Sequence, residues 1–437
     1  MNKIHASLPR VKSEEEKKEL LAKAKELQPK VAAFEVLKRD AEREVQMLAE
    51  ELPNLTGRFS PVGEEAEVLG VFGENPMLRD EGRGTKKEWL SHTEIGARLD
   101  LLDFEGSALT SGWGWYFLKN EAAFLEQALV QYALSVAMKR GWMVVSPPSM
   151  VYAHIADACG FQPRDRNEEQ QIYGIVQAEK DAAKPRLVMA GTAEIPLAGM
   201  KANTTFEEGE LPLKVVGASR CYRAEAGARG VDTKGLYRVH EFTKVEMFGW
   251  TMPDRASIAP SSSPGESTSE TDMFDTQAGA SETVSYSPSE QLFEEMLEIQ
   301  QEILTSLGLH YRVLEMPTHE LGASASRKRD IEALFPSRIR SGPGDSENQS
   351  EGGWGELTSA SICTDYQTRR LNTRVKIGKG GKGSGKMEFP YTVNGTACAV
   401  PRVLAAILEC GWDGERVRIP EVLRPWMGGR EVIERKR

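Results

Sequence analysis

Cysteine and histidine are scarce in this chain of 437 residues, which has five of the first and six of the second. Cys159, Cys221, Cys363, Cys398 and Cys410 are odd in number and never approach C-x-x-C spacing, so neither a disulfide framework nor a zinc knuckle organises the fold, and a reducing compartment fits. The histidines are scattered singly and read as structural residues rather than metal ligands. Long apolar runs are missing as well: nothing approaches the ~20 residues that cross a bilayer, so no membrane partner is expected. Nor is there an excess of positive charge. A net charge of -10 argues against a binder that grips nucleic acid by overall charge. A local patch is still available, because Arg369, Arg370, Arg374, Lys376, Lys379, Lys382 and Lys386 follow Gln367 with no acidic residue among them. Interleaved with glycine, that run reads equally as a solvated loop or as an RNA contact.

The length suits one large catalytic domain with a smaller appendage. Between Ser13 and Leu52, apolar residues recur at Leu20, Ala24, Leu27, Val31, Phe34, Ala41, Val45, Leu48 and Leu52, in steps of four and three that only Lys38 interrupts. This heptad seam predicts a long helix, with Pro29 as the place for a kink or a restart. Pro53 to Gly57 ends it. The expected division is a helical arm over 1–55, a linker over 56–88 and a catalytic domain over 89–437. A buried helix is expected from Asn120 to Arg140, and strands from Trp142 to Val145, Leu213 to Ala218, Lys244 to Trp250 and Gly355 to Ile362. Between them, residues 254–290 and 340–355 are rich in Ser, Gly and acidic side chains and read as surface insertions, as does the Gly–Lys tract over 378–385. That order of elements is the mark of an α+β fold with an antiparallel sheet.

Three polar clusters stand out against this apolar background: Thr192 to Glu194; Cys221 to Glu225 with Arg238 to Glu246; and Asn394 to Thr396 with Arg402. A charge on a core strand needs a partner or a ligand, because burying it alone is expensive. Arg223 and Arg402 offer the guanidinium fork that suits phosphate, and Glu225 and Glu246 alternate with apolar neighbours at strand spacing. For any one of these residues an internal Arg–Glu ion pair is the better reading; for all of them together a ligand site is.

The stretch RCYRAEAGARGVDTKGLYRVHEFTKVEMF, Arg220 to Phe248, resembles motif 2 of the seryl-tRNA synthetases, a class II family. Arg140, Gly141 and Val145 to Pro148 resemble motif 1, the dimer-interface element, and NGTACAVPRVLAAILE, Asn394 to Glu409, resembles motif 3. Thr192 to Glu194 is similar to the T-x-E element, ELTSASICTDYQTRRL to the strand bearing ATP and metal contacts, and PEVLRPWMGG to the C-terminal tail. The resemblance departs from the generic pattern at Ala397, Ala399 and Pro401, which stand where class II enzymes carry glycines, and at Glu241, where many relatives have Gln.

The resemblance implies a class II antiparallel sheet flanked by helices, with the N-terminal helix as half of a coiled-coil arm whose other half is absent. It implies serine activation by ATP and transfer to tRNA(Ser), with Mg²⁺ as cofactor, L-serine as substrate and a homodimer as the assembly. Arg223 is expected to hold the α-phosphate and the serine carboxylate, Glu225 to accept from the adenine amino group and Phe242 to stack on adenine. Thr192, Glu194, Glu246 and Thr396 are expected to enclose the serine amine and hydroxyl, Glu356 and Ser359 to hold Mg²⁺, and Arg402 to meet the γ-phosphate. Trp113 to Ile172 resembles fungal mitochondrial members, implying a mitochondrial location with the cytoplasm as alternative, although Met1 to Arg10 lacks an Arg- and Ser-rich presequence. Two other functions stay open: a seryl-adenylate-forming ligase with a non-tRNA acceptor, for which no Cys or His cluster supplies the zinc site of the known type, and a non-catalytic paralogue.

Overall fold

The computed structural model describes residues 13–78, 88–161, 171–224, 235–254, 286–339, 352–378 and 385–435. It divides into two units, Met1–Pro53 and Asn54–Arg437.

The first unit is helix α1, Glu14–Glu51, of 38 residues. Ser13 caps it by accepting from the Glu16 amide, and Glu14, Glu15 and Glu16 place negative charge where the helix dipole is positive. The helix runs unbroken through Pro29, giving up the one hydrogen bond that a proline nitrogen cannot make. Ion pairs Lys30–Glu26 and Lys38–Glu42 brace it at i,i+4 spacing, the second from the residue that interrupts the seam, and each is worth roughly 0.3–0.5 kcal/mol. Of the apolar seam, Phe34, Val45 and Leu48 are exposed.

The second unit is built on eight strands: β1 (Glu67–Phe72), β2 (Met143–Val145), β3 (Leu213–Tyr222), β4 (Glu241–Thr251), β5 (Tyr311–Glu315), β6 (Arg327–Leu334), β7 (Trp354–Thr364) and β8 (Tyr391–Ala399). Their order across the sheet is β1-β5-β6-β7-β8-β4-β3-β2. Every neighbouring pair is antiparallel except β2 with β3. The segment read as a linker therefore carries an edge strand, β1, which its short mixed sequence did not announce. The insertion regions lie mostly outside the described residues; what is described of the first includes Ser287 and Pro288, which open helix α3 (Pro288–Ser306) with a capping box closed by Glu290.

Alternation along β4 assigns the two faces of the sheet. Val245 and Met247 enter the main core, where helices α2 (Asn120–Lys139), α3 and α4 (Val400–Gly411) bury Leu125, Leu129, Phe293, Met296, Leu404 and Ile407. Each such side chain contributes roughly 1.5–3 kcal/mol of burial. Phe248 and Trp250 point to the other face, into a smaller core with Val151, Ile195, Phe206 and Val375. Lys244 and Glu246 share that second face, so two charged residues are carried beside apolar neighbours. None of the described helices is long and apolar enough to cross a membrane.

Candidate active site

On the second face, polar side chains from separate strands fall into line. Asp330 of β6 stands opposite Ser359 of β7, and Thr396 of β8 opposite Glu246 of β4, while Ala360 and Gly395 pair one step away. Glu356 joins them through a β-bulge. Ile331 pairs with Thr358 but Glu332 pairs with Glu356, so Leu357 is the extra residue. Strict alternation would send Glu356 and Ser359, three residues apart, to opposite faces; the bulge brings them to one.

At one end of the row lies a buried polar cluster, of which Lys244 and Thr396 border the cleft described next. Glu246 is 1 % exposed, and its Oε2 lies 2.8 Å from Lys244 Nζ and accepts from Thr396 Oγ1 at 3.1 Å. Thr192, Glu194 and Thr396 are buried beside it. Thr192 Oγ1 accepts from the Glu194 amide at 3.2 Å, and Gln367 Nε2 donates to Glu194 Oε1 at 2.6 Å while Gln367 Oε1 accepts from Thr392. Burial first, and then the Glu246 charge, push the Glu194 carboxyl up to about 7, against the pull of Lys244, Gln367 and Arg223.

The other end is an open cleft, a cavity of about 120 Å³ lined by Arg223, Tyr237, Phe242, Glu356, Ser359 and Arg402 among others. Arg223 follows β3 directly, and its guanidinium lies 5.4 Å from the centre of the Phe242 ring and donates through Nε to the Gly191 carbonyl at 3.4 Å. Its backbone is pinned on both sides: its amide donates to the His240 carbonyl at 2.8 Å, and its own carbonyl accepts from His240 Nδ1 at 2.9 Å. Trp115 stacks on the His240 ring. Arg402, in the first turn of α4, holds Glu356: Nη1 is 3.1 Å from Glu356 Oε2 and donates to the Glu356 carbonyl. Tyr237 lies beneath, its ring centre 4.5 Å from the Arg402 guanidinium and 4.3 Å from that of Arg338. Partial desolvation works to raise the Glu356 carboxyl, but Arg402, Lys328 and Arg223 outweigh it and hold it down at about 2.

Arg223, Phe242, Glu246, Thr192, Glu194, Thr396, Glu356, Ser359 and Arg402 thus converge as one constellation on one face of the sheet. Glu225 lies outside the described residues. The internal Arg–Glu pairing considered from sequence describes Arg402 and Glu356; Arg223 has no carboxylate within ion-pair distance among the described residues. Glu241 faces Arg220, Oε1 to Nε 3.7 Å. Sequence reasoning missed Gln367, Asp330 and Tyr237. Gln367 stood at the head of a basic run, Asp330 inside an ordinary alternation, and no local signal set either apart. A larger hollow of about 630 Å³, bordered by Arg98, Trp412 and Arg418, holds none of the converging side chains.

An antiparallel sheet packed by α2, α3 and α4 on one face, gathering Arg223, carboxylates and an aromatic ring on the other, with Arg402 reaching in from the first turn of α4, defines the class II tRNA synthetase core. The family model described as tRNA synthetase class II core domain (G, H, P, S and T) matches residues 166–259 and 276–410. The mitochondrial serine–tRNA ligase of Saccharomyces cerevisiae is 41% identical over 347 residues, 78% of this chain and 65% of that protein, so the matched stretch is just under two thirds of that relative. The serine–tRNA ligase of Rhodopirellula baltica is 37% identical over 98% of this chain and 86% of its own length. The crystal structure of seryl-tRNA synthetase from Pyrococcus horikoshii complexed with ATP superposes with a TM-score of 0.76 at 29% identity, covering 100% of this chain and 88% of that one. The chain belongs to the serine–tRNA ligase family.

Proposed function

We propose that this chain activates L-serine with ATP to seryl-adenylate and transfers the serine to the 3′ end of tRNA(Ser). The observation that carries this reading is the enclosed Glu246–Thr396–Lys244 cluster opening onto a cleft with two arginines. Both bonds to Glu246 end on Oε2, which leaves Oε1 to accept from a substrate hydroxyl. A pocket built in this way rejects alanine, because the analogue leaves buried polar groups unpaired. Thr192 and Glu194 take the serine ammonium. In the cleft, Phe242 stacks on adenine and Arg223 bridges the α-phosphate and the serine carboxylate, with Glu225 assigned by resemblance to the adenine amino group. A serine carboxylate oxygen attacks the α-phosphorus and pyrophosphate leaves. Arg223 stands where negative charge grows on the α-phosphate, and Arg402 turns from Glu356 to the γ-phosphate, so positioning and electrostatics perform the step without a side-chain nucleophile.

Glu356 and Ser359 fit Mg²⁺. The bulge puts both on one face of the sheet, both line the cleft, and Arg402, Lys328 and Arg223 hold the carboxyl ionised, which suits an ion that takes one or two protein oxygens and completes its shell with waters and phosphate oxygens. When bound, it would neutralise phosphate charge and orient the pyrophosphate for departure.

We further assign α1 to a coiled-coil arm reaching tRNA(Ser), and residues 89–437 with β1 to the catalytic domain. The half-exposed Met143 and Val144 of edge strand β2 suit a homodimer contact with a second copy. We favour a mitochondrial location, with the cytoplasm as alternative: relatives from Saccharomyces cerevisiae, Mus musculus and Schizosaccharomyces pombe at 41%, 37% and 37% identity are named mitochondrial, and the bacterial relative from Rhodopirellula baltica stands at 37%.

Serine-dependent ATP–pyrophosphate exchange tests the reading. Exchange that rises with serine and not with alanine supports it, whereas folded protein without exchange makes the chain a non-catalytic paralogue. Serine transfer to a carrier protein in preference to tRNA would replace the acceptor.

A further inference from the structure

Next to Glu356 and Ser359 the structure holds one more carboxyl that the proposed chemistry leaves unused. Asp330 is 4% exposed, and its two oxygens are treated differently. Oδ2 lies 2.8 Å from Lys328 Nζ, whereas Oδ1 is buried with no hydrogen-bond partner. A carboxylate oxygen sealed from solvent without a donor is uncommon, because it forfeits its hydration for nothing in return. Its place in the sheet says which donor it lacks. Asp330 stands directly across from Ser359 in the β6–β7 register, on the face that carries Glu356, and the Glu356 charge is the largest influence on it after burial. Lys328, two residues away on the same strand and face, brings its ammonium to Asp330 and is also drawn to Glu356. That ammonium is paired with Asp330 and feels the Glu356 charge as well, so the two carboxyls attract positive charge to the same neighbourhood.

We infer that Asp330 is a positioning residue for the divalent cation held by Glu356 and Ser359, its Oδ1 accepting from a water bound to that cation. This rests on the function proposed above and adds a residue that the resemblance did not supply. A hydrated cation fills the missing donor: a cation-bound water is polarised and donates strongly, and partners at this distance from a metal are known to tune affinity about 10–100-fold. The alternative, that Asp330 serves only to neutralise Lys328, explains Oδ2 and leaves Oδ1 unexplained.

The probe is Mn²⁺, followed by the loss of its free-ion electron paramagnetic resonance signal on titration into the full chain saturated with α,β-methylene ATP. Wild type binds Mn²⁺, and Glu356→Gln removes that binding. Asp330→Asn keeps the shape of the side chain and is expected to weaken Mn²⁺ about tenfold, while affinity for the nucleotide without metal stays unchanged. Asp330→Ser, smaller and still polar, gives the same loss and serves if the asparagine variant folds poorly. Loss of Mn²⁺ affinity in either folded variant supports the inference. A folded Asp330 variant that binds Mn²⁺ as wild type does, whatever its melting temperature, overturns it and leaves Glu356 and Ser359 as the site. If wild type and Glu356→Gln bind Mn²⁺ alike, the metal-site assignment itself is wrong, and the inference falls with it.

Discussion

The two ends of the cleft are made of the same residue types under different rules. At the end proposed for serine, Glu194, Lys244 and Glu246 are 7%, 7% and 1% exposed, and their partners are side chains fixed by the sheet. At the end proposed for the nucleotide, the Arg402 and Glu356 side chains keep 20% and 39% of their accessibility and hold each other. Buried charges have no solvent to fall back on, so a ligand that leaves one of them unpaired is penalised heavily; this end is suited to selection. Partly solvated charges exchange partners at small cost, and the Arg402–Glu356 pair is suited to opening when phosphates and a cation arrive.

Four substitutions or conditions break or sharpen this contrast. The largest effect is expected for Glu246→Ala, which strands the buried Lys244 without its carboxylate. Exchange kinetics should show kcat/KM for serine lower by about three orders of magnitude, with ATP affinity changed far less; unchanged serine dependence would remove Glu246 from the pocket. Arg402→Ala comes next, at roughly 10²–10³ in kcat, read by single-turnover adenylate formation, as for the loss of one donor to developing charge. Serine KM should stay nearly constant, and a selective rise in it would mean that the two ends are not separable.

The third is a pH effect. Glu194 has a folded value of about 7 against the ordinary 4.5, so below pH 7 it is neutral and holds an ammonium poorly. Apparent serine affinity should weaken about tenfold as pH falls from 8 to 6, and Glu194→Gln should abolish that dependence. For the ligand-free protein the sign reverses. Because folding raises this carboxyl, its unfavourable contribution appears as pH rises from about 4.5 and is complete above 7, so a melting series should show Glu194→Gln gaining relative stability across that window. The smallest effect is expected for Gln367→Leu, which removes one donor from Glu194: a severalfold rise in serine KM and a further upward move of the pH profile. A variant with an unmoved profile would show that the 2.6 Å bond is not what restrains Glu194.

Much of the scaffold was readable along the chain. The heptad seam foretold α1, apolar periodicity foretold α2, and the strand runs fell within β3, β4 and β7, because in each the apolar pattern is carried by near neighbours in sequence. Arg223, Glu246, Thr396 and Arg402 were legible in the same way, as polar groups out of place among apolar neighbours, whereas Phe242 stood out only through the resemblance to motif 2. At Pro29 the helix does not restart, since a long helix tolerates the loss of a single bond. Strand β1 was invisible, as an edge strand takes its hydrogen bonds from β5 more than 200 residues away.

The chain by itself therefore determined which side chains were available and on which local elements they ride. Only the tertiary structure decided who meets whom. Glu246 reaches Thr396 across 150 residues and Glu194 reaches Gln367 across 173, and no local periodicity encodes such pairings. The bulge at Leu357 is the sharpest case, since one extra residue in a strand turns Glu356 to the face of Ser359, and that turn arises from the register between two strands rather than from either strand alone.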